Sequence, residues 1–247
     1  LANLMRHLLI ILSLFLFSFI IFSCGEKEES STTTSSSPLF VSVGVSGTVL
    51  TSLDATTWTS RTSGTTSTLY EVTYGNRTFV TVGHSGTILT STDGTTWTSR
   101  IAGVESNAIN GVTFGDSTFV AVGGGNWILT STDGTTWTLG TSGIGETDND
   151  VTYGNSTFVT VSSNGTILTS SDGTTWTSRT SGTTNTLFGV TYGNSTFVTV
   201  GLSGTILTSS DGASWDNRTS NTSNTLFGVT YGNNIFVTVG DPGTILT

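Results

Sequence analysis

Ser91-Thr92-Asp93-Gly94-Thr95-Thr96-Trp97 is the best preserved copy of a short phrase that recurs along this chain. The tryptophans that close five copies, Trp58, Trp97, Trp137, Trp176 and Trp215, follow one another at 39, 40, 39 and 39 residues. A period of about 40 residues, with four strand-like runs in each copy, is typical of a β-propeller in which each repeat forms one blade. The spacing therefore predicts an all-β propeller.

The copy from Leu187 to Gly212 shows how one repeat becomes one blade. Three short alternating runs are separated by turn residues, and a fourth run carries Trp215. Phe197-Val198 and Ile206-Leu207 are adjacent apolar pairs, so in strands their side chains point to opposite faces of the sheet. A blade between two other blades buries both faces. A β-solenoid is the alternative, but its coils usually repeat at roughly half this length.

The number of blades follows from counting strands. Repeats begin near residues 39, 69, 108, 151, 187 and 226, with three strands in the first copy, four in each of the next four and three in the last. Six blades are the simplest closure if a C-terminal strand completes the first blade, and seven are the alternative. The sixth copy stops at Thr247 before its phrase, so we expect that a final segment is missing.

The N-terminal residues do not share the repeat. Leu8 to Phe22 is a 15-residue apolar run interrupted only by two serines. This length suits a signal peptide better than a transmembrane helix of about 20 residues. The run leads to Cys24, the only cysteine, in a context that resembles the lipobox of bacterial lipoproteins, whose cysteine is acylated. The alternative is an ordinary signal peptide with an incidental cysteine. We predict a lipoprotein signal peptide over 1–23 and lipidation of Cys24.

Residues 24–38 are predicted to form a tether between this anchor and the propeller, which spans 39–247. From Gly25 to Pro38 the sequence GEKEESSTTTSSSP contains no apolar residue and cannot form a core. We therefore expect a domain held at a membrane of the bacterial cell envelope, on its periplasmic or its outer side.

Composition excludes one class of partner. Only 9% of residues are charged and the net charge is −9. From Leu39 onward five arginines stand against thirteen acidic residues, a balance of −8. Nucleic-acid binding needs a basic surface, so we expect no nucleic-acid partner.

The repeated phrase resembles the Asp-box, or BNR repeat, of sialidase-like propellers, Ser-x-Asp-x-Gly-x-Thr-Trp. The copies are one residue shorter than the family pattern between Asp and Trp, and the first has Ala55 where the others have Gly. The resemblance covers nearly all of Leu39 to Thr247 and implies a fold more than an activity, since Asp-boxes occur in enzymes and in binding proteins alike.

The repeated Asp and Trp residues are interpreted as structural. The aspartates, which can accept hydrogen bonds from backbone N–H groups of their own turns, are Asp54, Asp93, Asp133, Asp172 and Asp211. The tryptophans are expected to pack between blades. Metal binding or catalysis is the alternative, but five identical sites around a ring do not converge on one substrate. We predict no metal site and no cofactor.

The resemblance also implies what a sialidase would need: three arginines on the substrate carboxylate, a tyrosine nucleophile with its glutamate, and an acid/base aspartate. The arginines Arg61, Arg100, Arg179 and Arg218 instead recur three residues after each Trp, at the end of the outermost strand. Arg77 falls in a turn on the face opposite to the one that a sialidase site needs. We therefore predict that the protein is not an enzyme.

Departures from the repeat are the candidates for a ligand site. They fall in the loops on the face opposite the Asp-boxes: Asn126 and Trp127 in the third copy, Glu146, Asp148 and Asp150 in the loop before the fourth blade, and Glu105 and His84 nearby. Trp127 replaces a Thr and is expected to form an aromatic platform beside carboxylates. Such a set suits sugar hydroxyls or a cation held by oxygens. The alternative is that these exposed loops vary in sequence without any functional consequence.

The sequence thus predicts a membrane-anchored, non-enzymatic binding or scaffolding module, with a glycan or an envelope protein as its partner. Two alternatives remain: a sialidase-like glycoside hydrolase, and an assembly factor for an envelope protein complex.

Overall fold

The computed structural model describes residues 23–25, 39–104 and 106–247. In these residues the chain forms six antiparallel sheets, five with four strands and one with three. The sheets follow one another around a common axis, and from the first sheet to the sixth the first strand of each contacts the first strand of the next. The predicted all-β propeller of six blades is confirmed.

Within each blade the strands run in chain order from the axis to the rim. Blade one contains β1 (Ser23–Gly25), β2 (Leu39–Val43), β3 (Val49–Ser52) and β4 (Thr59–Arg61), and blade two contains β5 (Leu69–Gly75), β6 (Thr78–Gly83), β7 (Ile88–Ser91) and β8 (Thr98–Arg100). Blade three contains β9 (Ile109–Gly115), β10 (Thr118–Gly123), β11 (Trp127–Ser131) and β12 (Thr138–Thr141), and blade four contains β13 (Asp148–Gly154), β14 (Thr157–Ser162), β15 (Ile167–Ser170) and β16 (Thr177–Arg179). Blade five contains β17 (Leu187–Gly193), β18 (Thr196–Gly201), β19 (Ile206–Ser209) and β20 (Asp216–Arg218), and blade six contains β21 (Leu226–Gly232), β22 (Ile235–Gly240) and β23 (Thr244–Leu246).

Short 3-10 helices join the second and third strands in four blades: η1 (Val45–Gly47), η2 (His84–Gly86), η3 (Ser163–Gly165) and η4 (Leu202–Gly204). They lie on the same side of the ring as the loops that lead into the next blade. We call this side the loop face.

The first hairpin of each blade is set by its turn residues. In blade five, Asn194 and Ser195 have φ values of 45° and 57°. Positive φ at both central residues is the type I′ geometry, whose twist matches that of paired strands. The pairing begins with Gly193 opposite Thr196.

The hydrophobic core lies between blades. Val80, Val82 and Ile88 of blade two are fully buried and pack in one cluster with Phe119 and Leu129 of blade three. Neighbouring residues of one strand, such as Phe119 and Val120, belong to clusters on opposite sides of their blade. Both faces of the blade are therefore buried, as the adjacent apolar pairs in the sequence predict.

The first and last blades differ from the expected pattern. A C-terminal strand was expected at the inner edge of blade one, but β1 pairs there with β2, with Cys24 opposite Phe40. The sequence of β21 is identical to that of β17, yet Val229 is half-buried whereas Val190 is 5% exposed. The sixth blade is therefore covered less fully than the fifth.

The predicted signal peptide and most of the tether, residues 1–22 and 26–38, lie outside the described residues. None of the helices that the structure describes combines the length and the apolar character needed to cross a bilayer. Lipidation of Cys24 stays a prediction.

Candidate functional site

The repeated turns between the third and fourth strands hold their aspartates as backbone acceptors. Asp93 Oδ1 accepts N–H bonds from Thr95 and Thr96, both at 2.8 Å, and a hydroxyl bond from Ser91 at 2.9 Å. These bonds stabilise the carboxylate and hold the pKa of Asp93 well below its usual range, although slight burial opposes them. The same bonds form at Asp54, Asp133, Asp172 and Asp211.

The tryptophans close these turns and contact the neighbouring blade. Trp97 Nε1 donates to Gly94 O at 3.0 Å, and its ring packs against a cluster that includes Val41 and Val43 of blade one. Trp137, Trp176 and Trp215 bond in the same way to Gly134, Gly173 and Gly212. These residues therefore serve the joints between blades.

The glycine of each turn lies against the preceding blade. Gly94 has φ +71°, and a Cβ on it would lie 2.5 Å from Leu39 Cδ2 of blade one. Gly173 would meet Val120 Cγ2 at 2.8 Å. Ala55, with φ 57°, stands at this position in blade one. At the other four turns a Cβ would lie only 2.5 to 3.2 Å from a side chain of the preceding blade.

The arginines lie at the rim and are bound to their own blades. Arg100 Nε donates to Thr90 Oγ1 at 2.8 Å. Arg61, Arg179 and Arg218 make the same bond at the same distance in their blades. Because each guanidinium is held beside the third strand of a different blade, these four do not assemble around one substrate carboxylate.

The structure does not display Trp127 as the expected platform. Its side chain is 5% exposed and packs in the core between blades two and three, and its Nε1 donates no hydrogen bond to a described residue. The ring tip approaches Gly123, where a Cβ would lie 2.8 Å from Trp127 Cη2. Glycine leaves the space that the indole fills, so the departure in this loop is a packing change.

The other residues predicted to lie in loops differ in how exposed their side chains are. His84 is exposed and its Nδ1 lies 2.7 Å from Ser85 Oγ. Asn126 is exposed, and Glu146 is half-buried in the loop before blade four. Glu105 lies outside the described residues.

Asp148 and Asp150 are not loop residues, because strand β13 begins at Asp148. The alignment of the blades places Asp148 where the others carry a fully buried apolar residue: Leu69, Ile109, Leu187 or Leu226. Asp148 is itself 0% exposed. A carboxyl group thus replaces a core aliphatic side chain between blades three and four.

Hydroxyl groups surround this carboxyl. Ser162 Oγ donates to Asp148 Oδ1 at 2.5 Å, and Thr160 Oγ1 lies 3.4 Å from the same oxygen. Ser142 interacts with the carboxyl as well and donates to Asn126 Oδ1 at 2.8 Å. We call this set, Asn126, Ser142, Asp148, Thr160 and Ser162, the blade-four junction. It comprises an exposed amide on the loop face, a buried carboxyl and the three hydroxyl groups near them.

Ser162 is the second half of the same change. The other five blades have glycine here: Gly44, Gly83, Gly123, Gly201 and Gly240. At Gly83 a Cβ would lie 2.1 Å from Thr68 O, so the usual backbone leaves no room for a side chain. In blade four the backbone differs at this point: Ser162 has φ −137° and ψ 179°, against −174° and −158° at Gly83.

Two further carboxyl groups, those of Glu71 and Asp150, lie in the inner strands of blades two and four. Glu71 Oε2 accepts the N–H of Val112 at 2.6 Å, and Asp150 Oδ2 accepts the N–H of Val190 at 2.8 Å. Each carboxyl therefore bonds to the inner strand of the following blade. A Cβ on Gly111 would lie 3.0 Å from Asp150 Cα and 3.1 Å from Glu71 Oε2, so this glycine is what allows the two to approach.

Burial changes the acidity of all three groups. It raises the pKa of Asp148 to about 6 and that of Asp150 to about 7, against the hydrogen bonds that lower them. Burial and the nearby Asp150 raise the pKa of Glu71 well above its usual value. No Lys, Arg or His occurs in the first or second strand of any blade in the described residues, so no cation compensates them there.

Glu71 was missed from the sequence. Its counterparts are Gly111, Asp150, Gly189 and Gly228, and comparing the copies within strands would have singled it out as an acid at an inner-strand position. The sequence comparison was confined to loops. In the part of the chain that the structure describes, no group of three or more His, Cys, Asp or Glu side chains could hold a metal ion.

Neither any family model nor any curated protein matches this chain. Among solved structures, YCF48 from Cyanidioschyzon merolae is 16% identical, with a TM-score of 0.64 over 84% of this chain and 78% of that one. YCF48 bound to a D1 peptide is 15% identical, with a TM-score of 0.66 over 84% and 73%. Virginiamycin B lyase from Staphylococcus aureus is 15% identical, with a TM-score of 0.73 over 87% and 81%. These likenesses show the propeller fold, which a peptide-binding protein and an enzyme share.

Proposed function

We propose that this protein is a non-enzymatic binding or scaffolding module that holds a polypeptide segment on its loop face. One observation carries the proposal: the departures from the repeat gather where blades three and four meet. Asn126 and Glu146 reach the surface there, and Ser142, whose hydroxyl donates to Asn126 Oδ1, is buried beneath them.

The repeated ionisable groups support a module without catalysis. The turn aspartates accept backbone N–H bonds, and the rim arginines bond to threonines of their own blades. Both sets of side chains make hydrogen bonds that stabilise the fold. The binding of a D1 peptide by YCF48, which has the same fold, favours a polypeptide over a glycan as the ligand. An assembly factor for an envelope protein complex is the more specific form of this proposal.

The anchor belongs to the same proposal. We infer lipidation of Cys24 and attachment to a membrane of the bacterial cell envelope from the apolar run and the lipobox-like residues that precede the repeats. Metabolic labelling with an alkyne fatty acid tests this. Label on the protein that disappears in Cys24→Ser supports the anchor, and equal label in both would contradict it.

The binding proposal is tested with an array of peptides from envelope proteins, probed with the full chain in detergent. We expect bound peptides whose signal falls at least about tenfold in the Asn126→Ala, Glu146→Ala variant, since loss of two contacts of about 0.7 kcal/mol each gives that factor.

Thr136→Ala, Thr175→Ala is the matched control, because both threonines are exposed on the opposite face. Equal loss in the two double variants, or no peptide bound at all, would overturn the proposal. Turnover of a fluorogenic glycoside by the wild type would favour the hydrolase instead.

A further inference from the structure

The carboxyl of Asp148 is buried with one oxygen unpartnered. Asp148 is 0% exposed, and its Oδ2 accepts no hydrogen bond from any described residue. Buried polar groups in proteins are almost always paired, and an isolated buried charge is costly unless it is paired or coordinates a metal. An unpaired carboxylate oxygen at a position that other blades fill with Leu or Ile therefore points to a bound species.

The groups around the other oxygen of the same carboxyl, Oδ1, indicate the chemistry of that species. Asp148 Oδ1 contacts the hydroxyls of Ser162 and Thr160, and Thr160 Oγ1 also donates to the backbone oxygen of Asp150 at 2.8 Å. The Ser142 hydroxyl lies beside the same carboxyl and lowers its pKa. All of these atoms are oxygens, with no imidazole and no thiolate among them. Oxygen ligands suit hard cations.

Charge limits the cation further. The junction contains one carboxyl, and no group of three or more acidic, His or Cys side chains suited to a metal occurs in the described residues. A divalent ion would leave an excess positive charge in a buried site. A monovalent ion balances the single carboxylate and uses neutral hydroxyls for the rest of its shell.

We propose that the blade-four junction is a binding site for a monovalent alkali cation, with Asp148 as its charged ligand and the hydroxyls of Ser162, Thr160 and Ser142 as neutral ligands. The paired replacement of an aliphatic residue by Asp148 and of glycine by Ser162 supplies the carboxylate and one hydroxyl together. The cation joins blade three to blade four where the other blades rely on apolar contact.

Thermal unfolding of the full chain in detergent tests the site, in NaCl, in KCl and in N-methylglucamine chloride at equal ionic strength and at alkaline pH. We expect the midpoint to rise by about 3 to 6 °C in Na⁺ or K⁺ at about ten times the dissociation constant. The two salts distinguish which alkali ion fits better.

Asp148→Leu, Ser162→Gly removes the carboxylate and restores the residues of the other blades, so its midpoint should not depend on the cation. Asp150→Asn alters a half-buried acid outside the junction and should keep the dependence. Broadening of the ²³Na resonance by wild type, lost in the double variant, gives a direct second reading.

Equal midpoints in all three salts would overturn the proposal, and so would a Na⁺ effect that persists in Asp148→Leu, Ser162→Gly. A response to CaCl₂ without one to NaCl or KCl would overturn the assignment to a monovalent ion.

Discussion

Asp148 and Ser162 stand where the other blades have an aliphatic residue and a glycine, and each explains the other. The hydroxyl of Ser162 bonds to the carboxyl, and the backbone at Ser162 has φ −137° where Gly83 has −174°. From sequence, Asp148 was predicted to lie in a loop because no apolar residue marks the start of its strand. Propensity could not place it, because the pairing of β13 with β14 decides where the strand begins.

Restoring the usual pair should stabilise the protein. Asp148→Leu, Ser162→Gly buries an aliphatic side chain and removes an unpartnered buried oxygen. We expect a gain of about 1 to 3 kcal/mol in the free energy of unfolding without added alkali cation, measured by urea denaturation.

Asp148→Leu alone is the informative comparison. It leaves the Ser162 hydroxyl without its acceptor and should gain less than the double variant. A double variant less stable than wild type under these conditions would show that the junction is well packed as it stands.

At the scale of the element, the turn between the third and fourth strands was the most predictable part of the chain. Spacing alone located it, and the acceptor role of its aspartates follows from Asp chemistry. What spacing could not reveal is that the turn glycine touches the preceding blade, since that contact joins residues 53 to 55 positions apart in the chain. Ala55 was noted in the sequence as a departure without a consequence.

The same substitution should therefore have different effects in two turns. Gly94→Ala places a Cβ 2.5 Å from Leu39 Cδ2 at φ +71°, and we expect a loss of about 1 to 3 kcal/mol. The reciprocal change, Ala55→Gly, should alter stability by less than about 1 kcal/mol. Chemical denaturation of the two variants measures both, and equal costs would mean that contact with the preceding blade is unimportant.

Across the whole molecule, acidic groups of two kinds respond to pH in opposite directions. The turn aspartates have lowered pKa values, so the stability they confer is lost as pH falls below about 4. Asp148, Asp150 and Glu71 have raised pKa values and take up protons preferentially in the folded state. The stability they confer is present at low pH and is lost as pH rises through their folded pKa values.

We therefore expect maximal stability near pH 4 to 5 and a decline of about 2 to 4 kcal/mol by pH 8, at constant ionic strength in N-methylglucamine chloride. Urea unfolding across this range measures the decline. Asp148→Asn, Asp150→Asn should flatten the slope even if its absolute stability is lower, because an amide can replace only part of the carboxylate bonding. An unchanged slope would exclude these two groups as its cause.

The near identity of the blades bears on how the chain could grow or shrink. Where every blade presents the same two faces to the blades beside it, a gene can gain or lose one whole repeat. The blades that become adjacent still pack together. The joint between blades three and four breaks this interchangeability, because its carboxyl and its serine come from one blade and Ser142 from the loop before it. Recombination between repeats should therefore retain this segment, while the other repeats of the gene can be exchanged, gained or lost.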